Sequence, residues 1–83
     1  MKPNTITVMM HPIRIRIIQE LSIKKTATTK ELQLACGDIA QATLYRHLKE
    51  LLNHDLIQII SENIVNGIIE KVYAINLDVS KEI

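Results

Sequence analysis

The sequence predicts a small, mainly α-helical domain that ends in a β-hairpin, which places it in the α+β class. Three observations support this prediction. Three segments carry apolar residues at helical spacing, the chain after Asp55 becomes rich in Ile, Val and Tyr, and Asn66–Gly67 lies between two extended runs. A chain of 83 residues builds one modest core, so residues 1–83 are expected to form a single domain.

The apolar residues are almost all aliphatic. Hydrophobic residues make up 47% of the chain, and they include fifteen Ile and two Tyr but no Phe or Trp. This content is too apolar for a disordered chain and predicts an aliphatic core. It provides no row of aromatic rings on which single-stranded bases stack, which disfavours the RNA-binding classes that use such rings.

The segment "HPIRIRIIQELS" predicts the first helix, over residues 11–23. Pro12 suits the first helical position because its missing N–H would have no partner there. One apolar stripe is formed by Ile13, Ile17, Ile18 and Leu21. Residues 1–10 are weakly patterned and are interpreted as an N-terminal arm, in which "TITVMM" is a short strand or packs on a partner.

The segment "TATTKELQLACGD" predicts a second helix, over residues 29–36. Thr28 and Glu31 have the spacing of a capping box, in which each side chain bonds the backbone N–H of the other residue. Gly37 suits the positive φ that commonly ends a helix. The buried face is assigned to Leu32, Leu34 and Ala35.

The segment "QATLYRHLKELLNHD" predicts the third and longest helix, over residues 41–54. Its leucines recur at helical spacing and are expected to face the core: Leu44, Leu48, Leu51 and Leu52. The opposite face then carries Gln41, Ala42, Tyr45, Arg46 and Lys49. A short turn, "GDIA", separates this helix from the second.

The remainder of the chain has extended patterning. "LIQIIS" and "GIIEKVYAIN" are rich in residues that favour strands. Asn66–Gly67 is the strongest short signal for a two-residue hairpin turn. The sequence therefore predicts a hairpin over residues 56–76 with its tip at 62–67, followed by a tail at 77–83.

This order of elements is that of a winged helix–turn–helix, with a three-helix bundle over residues 11–57 and the hairpin as its wing. "TTKEL" followed by "GDIAQATLYRHLKELLNHDLI" resembles the helix–turn–helix of ArsR-like transcriptional regulators of bacteria and archaea, and "HPIRIRIIQEL" resembles their first helix. The resemblance covers about residues 11–76. It implies a prokaryotic regulator that binds double-stranded DNA, acts as a homodimer and places its third helix in the major groove.

The sequence departs from the ArsR-like pattern at three points. Ala40 stands where these proteins commonly have a Ser that caps the recognition helix, which leaves the cap to Asp38 or to the turn backbone. The cysteine motif of the metal sensors is absent, because the second helix contains only Cys36. The chain also stops where many relatives continue into a dimerising helix. Either the sequence is a shortened piece of a longer protein, or the protein dimerises through its first helix and N-terminal arm.

The third helix supplies most of the expected DNA contacts, because the N-terminal part of the second motif helix enters the major groove. Gln bonds adenine and Arg bonds guanine through two hydrogen bonds each, and an Ala fits against a thymine methyl group. The start of the preceding helix attracts phosphate through its free N–H groups. The candidate DNA-binding residues are Gln41, Ala42, Thr43, Tyr45, Arg46 and Lys49 on the third helix, and Thr29 and Lys30 on the second.

Other polar side chains have less definite interpretations. His47 is expected to be packed or at the rim of the DNA-facing surface rather than to read bases. Arg14 and Arg16 are expected to meet phosphate, acidic groups of a partner, or only water. The wing tip contains Glu62 and no Lys or Arg, so the wing is expected to be structural and to add little DNA affinity.

The net charge of +1 conceals an asymmetry along the chain. Residues 1–50 contain eight Lys and Arg against four Asp and Glu, whereas residues 51–83 contain two against five. The basic half is the half with the predicted helix–turn–helix, as expected for a nucleic-acid partner. Since electrostatics supplies most non-specific affinity, a single copy is expected to bind DNA weakly.

Two alternatives remain open. The near-neutral total charge and the acidic wing tip suit a winged-helix protein-interaction module that does not bind DNA, because fold does not determine function. A weaker alternative is a redox or small-ligand sensor built on Cys36, which would need an exposed thiol of lowered pKa. No sequence feature identifies an effector.

Several other classes find no support. The sequence contains no Gly-rich phosphate loop and no nucleophile motif, so an enzyme and a bound cofactor are not expected. A metal is not expected either, because His47 and His54 lie two helical turns apart. The single Cys36 suits a reducing cytoplasm, and no apolar run approaches the roughly 20 residues that span a membrane.

Overall fold

The computed structural model describes residues 5–37 and 39–76. Within these ranges the chain forms four helices and a three-stranded antiparallel sheet of order β1-β3-β2. In chain order the elements are α1 (Thr5–Met9), α2 (Pro12–Lys24), β1 (Thr26–Thr28), α3 (Thr29–Ala35), α4 (Gln41–Asn53), β2 (Ile57–Val65) and β3 (Ile68–Ile75). This is a winged helix–turn–helix, in which α3 and α4 form the motif and β2 and β3 form the wing. The predicted α+β fold is confirmed.

The core lies between the helices and the base of the sheet, and it confirms the predicted leucine and isoleucine stripes. Its buried apolar residues are Val8, Ile17, Leu21, Ala27, Leu32, Leu44, Leu48, Leu51, Leu56, Ile57 and Tyr73. Apart from Tyr73 they are aliphatic, as the composition predicts. Ile13, Ile18 and Leu52 are half-buried against this cluster. The inner face of α4 is therefore fixed against the body of the protein, and its outer face is free.

Residues 5–9 form a helix, so the strand interpretation of "TITVMM" is wrong. Val8 is buried in the core of its own chain, and its carbonyl oxygen accepts a hydrogen bond of 3.0 Å from Nη1 of Arg14. Local β-propensity is a weak preference that such tertiary contacts override. The rest of the predicted N-terminal arm, residues 1–4, and the tail at 77–83 lie outside the described residues.

The second predicted helix is confirmed as α3, together with its capping box. The predicted φ of Gly37 is also confirmed, at 82°. The inward assignment of Leu34 is wrong, because its side chain is 74% exposed. A helix turns about 100° per residue, so Leu34 lies about 200° around the axis from the buried Leu32.

The start of α4 has Ala40, rather than the common Ser, at its cap. Ala40 occupies the N-cap position, and its side chain makes no capping hydrogen bond. The carbonyl oxygen of Ala40 accepts the first hydrogen bond of the helix, of 3.1 Å, from the N–H of Leu44. The cap expected from Asp38 lies outside the described residues.

Strand β1 was not expected from the sequence. It pairs with β3 so that Ala27 lies opposite Tyr73, and both side chains are buried. Three residues are too few to show an alternating pattern. The strand joins the base of the wing to the helical body.

The predicted hairpin is confirmed, but its tip is shorter than predicted, because residues 62–65 continue β2 and pair with β3. Asn66 and Gly67 have φ values of 54° and 79°, as a two-residue turn of type I′ requires. A register irregularity lies between Ile59 and Ser61. Most of the wing beyond its base is exposed, including three isoleucines near the tip: Ile64, Ile68 and Ile69.

No helix of the described residues is long and apolar enough to cross a membrane.

Candidate nucleic-acid interface

The outer face of α4 carries the residues that the sequence singled out for DNA. Since Leu44, Leu48 and Leu51 face the core, the side chains at the intervening positions point away from it. Five of the six candidates on this helix are exposed: Gln41, Ala42, Tyr45, Arg46 and Lys49. Thr43 is half-buried and lies at the edge of this surface. The expected arrangement of α4 is therefore present, while contact with DNA itself stays a prediction.

A groove of about 310 Å³ separates the helix–turn–helix from the wing. Four of the candidate residues line it: Thr29, Lys30, Gln41 and Tyr45. Gln33 of α3 completes the helical wall, and Ile68, Ile69 and Glu70 of β3 form the opposite wall. The fold thus brings the start of α3 and the start of α4 to one concave surface, whereas Arg46 and Lys49 do not line this groove.

The turn between α3 and α4 is held by a side chain of α3. Nε2 of Gln33 donates a hydrogen bond of 3.4 Å to the carbonyl oxygen of Ile39. Cys36 ends α3, where its N–H bonds the carbonyl oxygen of Leu32 at 3.0 Å. These contacts fix the approach of α4 to α3 near the candidate surface.

The start of α3 already has hydrogen-bond partners and a negative charge from within the chain. Oγ1 of Thr28 accepts a hydrogen bond from the N–H of Glu31, and the carboxylate of Glu31 accepts one from the N–H of Thr28. These bonds lower the pKa of Glu31, so a negative charge lies at this helix end. Lys24 lies 3.5 Å from that carboxylate and 3.6 Å from Glu20. The N–H groups and positive charge available to a phosphate are correspondingly reduced.

Thr29 and Lys30 differ in their surroundings. Thr29 is half-buried, and its side chain lies near the hydroxyl of Tyr73. Burial is the main reason that the pKa of Tyr73 is raised, and the nearby Thr29 side chain partly opposes it. Lys30 is exposed, so of the two it has the side chain that is free to turn toward a phosphate.

Arg14 and Arg16 make hydrogen bonds within the chain, which the sequence analysis did not expect. Nε of Arg14 donates to Nδ1 of His47 at 3.0 Å, and Nη1 of Arg16 donates to the carbonyl oxygen of Ala35 at 3.3 Å. The arginines of α2 thus fasten α4 and the end of α3 to the first long helix. His47 is only 7% exposed, which confirms that it is a packed residue.

Glu70 is the groove residue that the sequence analysis missed. It lies on the wall opposite Lys30 and Gln41, and it is half-buried. The strand character of β3 was predictable from its Ile, Val and Tyr content, but the packing of the hairpin beside α3 and α4 was not. Glu62, the acid that the sequence did single out, pairs in register with Lys71 across the hairpin.

Cys36 does not meet the requirements of a thiol sensor. It is half-buried against the core, and burial is the main cause that raises the pKa of its thiol. A raised pKa leaves little thiolate at neutral pH, and the thiolate is the reactive form. Among the described residues, no group of three or more His, Cys, Asp or Glu is placed to hold a metal ion.

Comparison with models of protein families gives a match. No curated protein matches the chain. A family model described as a helix-turn-helix domain matches residues 9–60, which is more than half of the chain and includes α2, α3 and α4. The chain belongs to this family of helix-turn-helix domains.

Proposed function

We propose that this protein is a transcriptional regulator that binds double-stranded DNA sequence-specifically, with α4 in the major groove. One observation carries the proposal. On the family's helix–turn–helix, the leucine face of α4 is buried, and the opposite face exposes Gln41, Ala42, Tyr45, Arg46 and Lys49. Such a helix presents the N-terminal half of its outer face to base edges.

Arg46 differs from Arg14 and Arg16 in its contacts, and this difference supports the role proposed for Arg46. Arg14 and Arg16 hold other helices in place. Arg46 takes part in none of the hydrogen bonds or ion pairs found among the described residues. An exposed Arg without an internal partner is free to form two hydrogen bonds with a guanine, which discriminates against other bases by about 1–3 kcal/mol. Gln41 would read an adenine in the same manner.

We further propose that the protein is ArsR-like and prokaryotic, and that it acts as a homodimer. Two copies would read half-sites roughly 34 Å apart. The exposed Ile6 of α1, together with Met10 and Ile15, supplies apolar surface on the segments expected to form the dimer contact. Two copies bound to one site would also double the number of contacts with DNA, and this offsets the low net charge of a single copy. A cytoplasmic location stays a prediction from the single cysteine.

The direct test is a titration of a labelled mixed-sequence duplex, followed by fluorescence anisotropy at low and then moderate salt. Circular dichroism establishes that the protein is folded under both conditions. Saturable binding that weakens steeply with salt supports the proposal, because it places Lys and Arg on phosphates. Selection from a randomised pool then identifies the preferred sequence. Absence of binding at low salt contradicts the proposal.

A protein-interaction module is the second candidate, and the wing favours it. Ile64 is 78% exposed and Ile68 is 71% exposed, while Glu62 and Glu70 place negative charge on the same hairpin. Apolar and acidic surface suits a protein partner better than phosphate. A folded protein that fails to bind DNA at low salt would support this candidate.

A further inference from the structure

Three side chains of α2 and α4 form one cluster in the body of the protein, which we call the His11–Arg14–His47 cluster. Nε of Arg14 donates to Nδ1 of His47 at 3.0 Å, and Nη1 of Arg14 donates to the carbonyl oxygen of Val8 at 3.0 Å. The rings of His11 and His47 lie 4.2 Å apart, centroid to centroid. The cluster therefore joins α1 and α2 to α4, which is the proposed recognition helix.

The hydrogen bonds of the cluster require both imidazoles to be neutral. Nδ1 of His47 accepts from Arg14, and Nδ1 of His11 accepts from the N–H of Ile13 at 3.2 Å, which caps α2. An imidazole nitrogen accepts only when it carries no proton, so the proton of each ring lies on Nε2. A second proton would convert each acceptor into a donor that faces another donor.

The charges around His47 also oppose its protonation. From α2 it faces His11 and Arg14, and on its own helix it neighbours Arg46 and Glu50. From α1, the Val8 carbonyl oxygen accepts a hydrogen bond from the same Arg14. Burial is the largest cause that lowers the pKa of His47, and repulsion from the cations adds to it against the opposing effect of Glu50.

We propose that the His11–Arg14–His47 cluster is a proton-sensitive device that positions α4, so that protonation of His47 releases α4 from α1 and α2 and weakens DNA binding. Arg14 is a positioning residue, since it acts on α4 through His47 rather than by touching DNA. The proposal rests on the proposed function, because its biological readout is the affinity of α4 for DNA.

The direction in which DNA affinity changes with pH distinguishes the release of α4 from a general effect of added positive charge. Protonation of exposed histidines adds positive charge, which strengthens binding to phosphate as the pH falls. Release of α4 acts in the opposite direction, because a recognition helix that is no longer held in one orientation loses its base contacts. A fall in affinity on acidification is therefore diagnostic.

Two variants test the proposal. His47→Asn keeps an acceptor near the position of Nδ1 and removes the titrating ring. His54→Asn is the matched control, because His54 lies at the end of the same helix and its imidazole lies 3.8 Å from the carboxylate of Glu50, two helical turns from His47. The probe is a labelled duplex that carries half-sites selected from a random pool, and its affinity is measured by anisotropy at constant salt.

As the pH is lowered from about 7.5 through the titration of His47, followed by NMR, the native protein and His54→Asn are expected to lose at least about fivefold in affinity, whereas His47→Asn loses none. NMR of the native protein, without DNA, should show the amide signals of Val8 and Met9 moving with the titration of His47. If His47→Asn fails to fold, Arg14→Gln replaces it, and the titration of His47 should then shift to higher pH because a cation is gone.

Equal pH dependence in the native protein and His47→Asn would overturn the proposal, as would titration of His47 without any change at Val8. Absence of DNA binding at every pH would contradict the proposed function instead. In that case the NMR titration still tests whether the cluster positions α4, because the titration needs no DNA.

Discussion

Thr28 and Glu31 are joined by two hydrogen bonds, of 3.1 Å and 3.0 Å, that begin α3. Each residue satisfies a backbone N–H of the other that would otherwise have no partner inside the helix. The pair lies where β1 ends and α3 starts, so it fixes the angle at which the chain leaves the sheet and enters the helix–turn–helix. Local chemistry at one turn thus contributes to the placement of the motif.

Thr28→Ala should therefore reduce the free energy of unfolding by about 1 kcal/mol, the usual cost of losing an N-cap hydroxyl. Urea denaturation followed by circular dichroism measures the change. Thr28→Ser is the control, because it keeps the hydroxyl and should restore most of the stability. Equal stability of Thr28→Ala and the native protein would mean that the capping box does not contribute.

The buried face of α4 should be far more sensitive than the misassigned leucine of α3. Leu48 is 1% exposed, so Leu48→Ala is expected to cost about 2–5 kcal/mol in unfolding free energy through lost burial and a residual cavity. Leu34→Ala is the matched control, since Leu34 is exposed and its truncation should stay within about 0.5 kcal/mol. Similar losses from the two substitutions would contradict the described orientation of α3.

Stability should fall as the pH is lowered through the range in which histidine titrates. The pKa of His47 is lowered in the folded protein, so the unfolded chain binds a proton more readily, and acid favours unfolding. The contribution of His47 is complete above the unfolded pKa of about 6.5 and is lost as the pH falls through the folded value.

Urea denaturation at a series of pH values measures this dependence. His47→Asn should flatten the loss of stability below about pH 6.5, whereas His54→Asn should leave it as in the native protein. A loss of the same size in His47→Asn would assign the acid sensitivity to other groups.

Glu70 is expected to limit DNA affinity, because it places a carboxylate in the groove beside Lys30 and Gln41. Glu70→Gln should increase affinity by about two- to threefold at low salt, with little change at high salt, since one like charge is removed. Glu62→Gln is the control, because Glu62 lies on the same hairpin, opposite Lys71, but does not line the groove. Anisotropy titrations compare the two, and weaker binding by Glu70→Gln would show that the carboxylate makes a favourable contact.

The elements that the sequence predicted well are those with a local signal. The stripe that includes Ile17 and Leu21, the Thr28–Glu31 spacing and the Asn66–Gly67 turn each lie within one element or one turn. Their physical causes, which are helical periodicity, reciprocal capping and positive φ, act over a few residues. The bounds of α2, α3 and α4 accordingly agree with the predicted helices to within one residue.

The features that the sequence did not predict depend on contacts between distant segments. α1 forms where Val8 reaches the core and Arg14, and β1 forms where Ala27 meets Tyr73. The groove wall at Glu70 requires the hairpin to lean toward α4. No pattern among neighbouring residues in the sequence indicates such contacts between distant segments. The exposed face of α4 was predictable because its leucines left only one possible orientation.

The central claim is that Arg46 reads a base from the outer face of α4. The measurement that tests it most directly is the affinity of Arg46→Ala and Arg46→Lys, against the native protein, for a duplex selected from a randomised pool and for a scrambled duplex. Arg46→Ala should bind the selected duplex more than about tenfold more weakly, a loss of about 1.4 kcal/mol or more. Arg46→Lys should lose discrimination between the duplexes but keep non-specific affinity, since it retains charge without the bidentate fork. Unchanged affinity and discrimination in Arg46→Ala would contradict α4 as the reading helix.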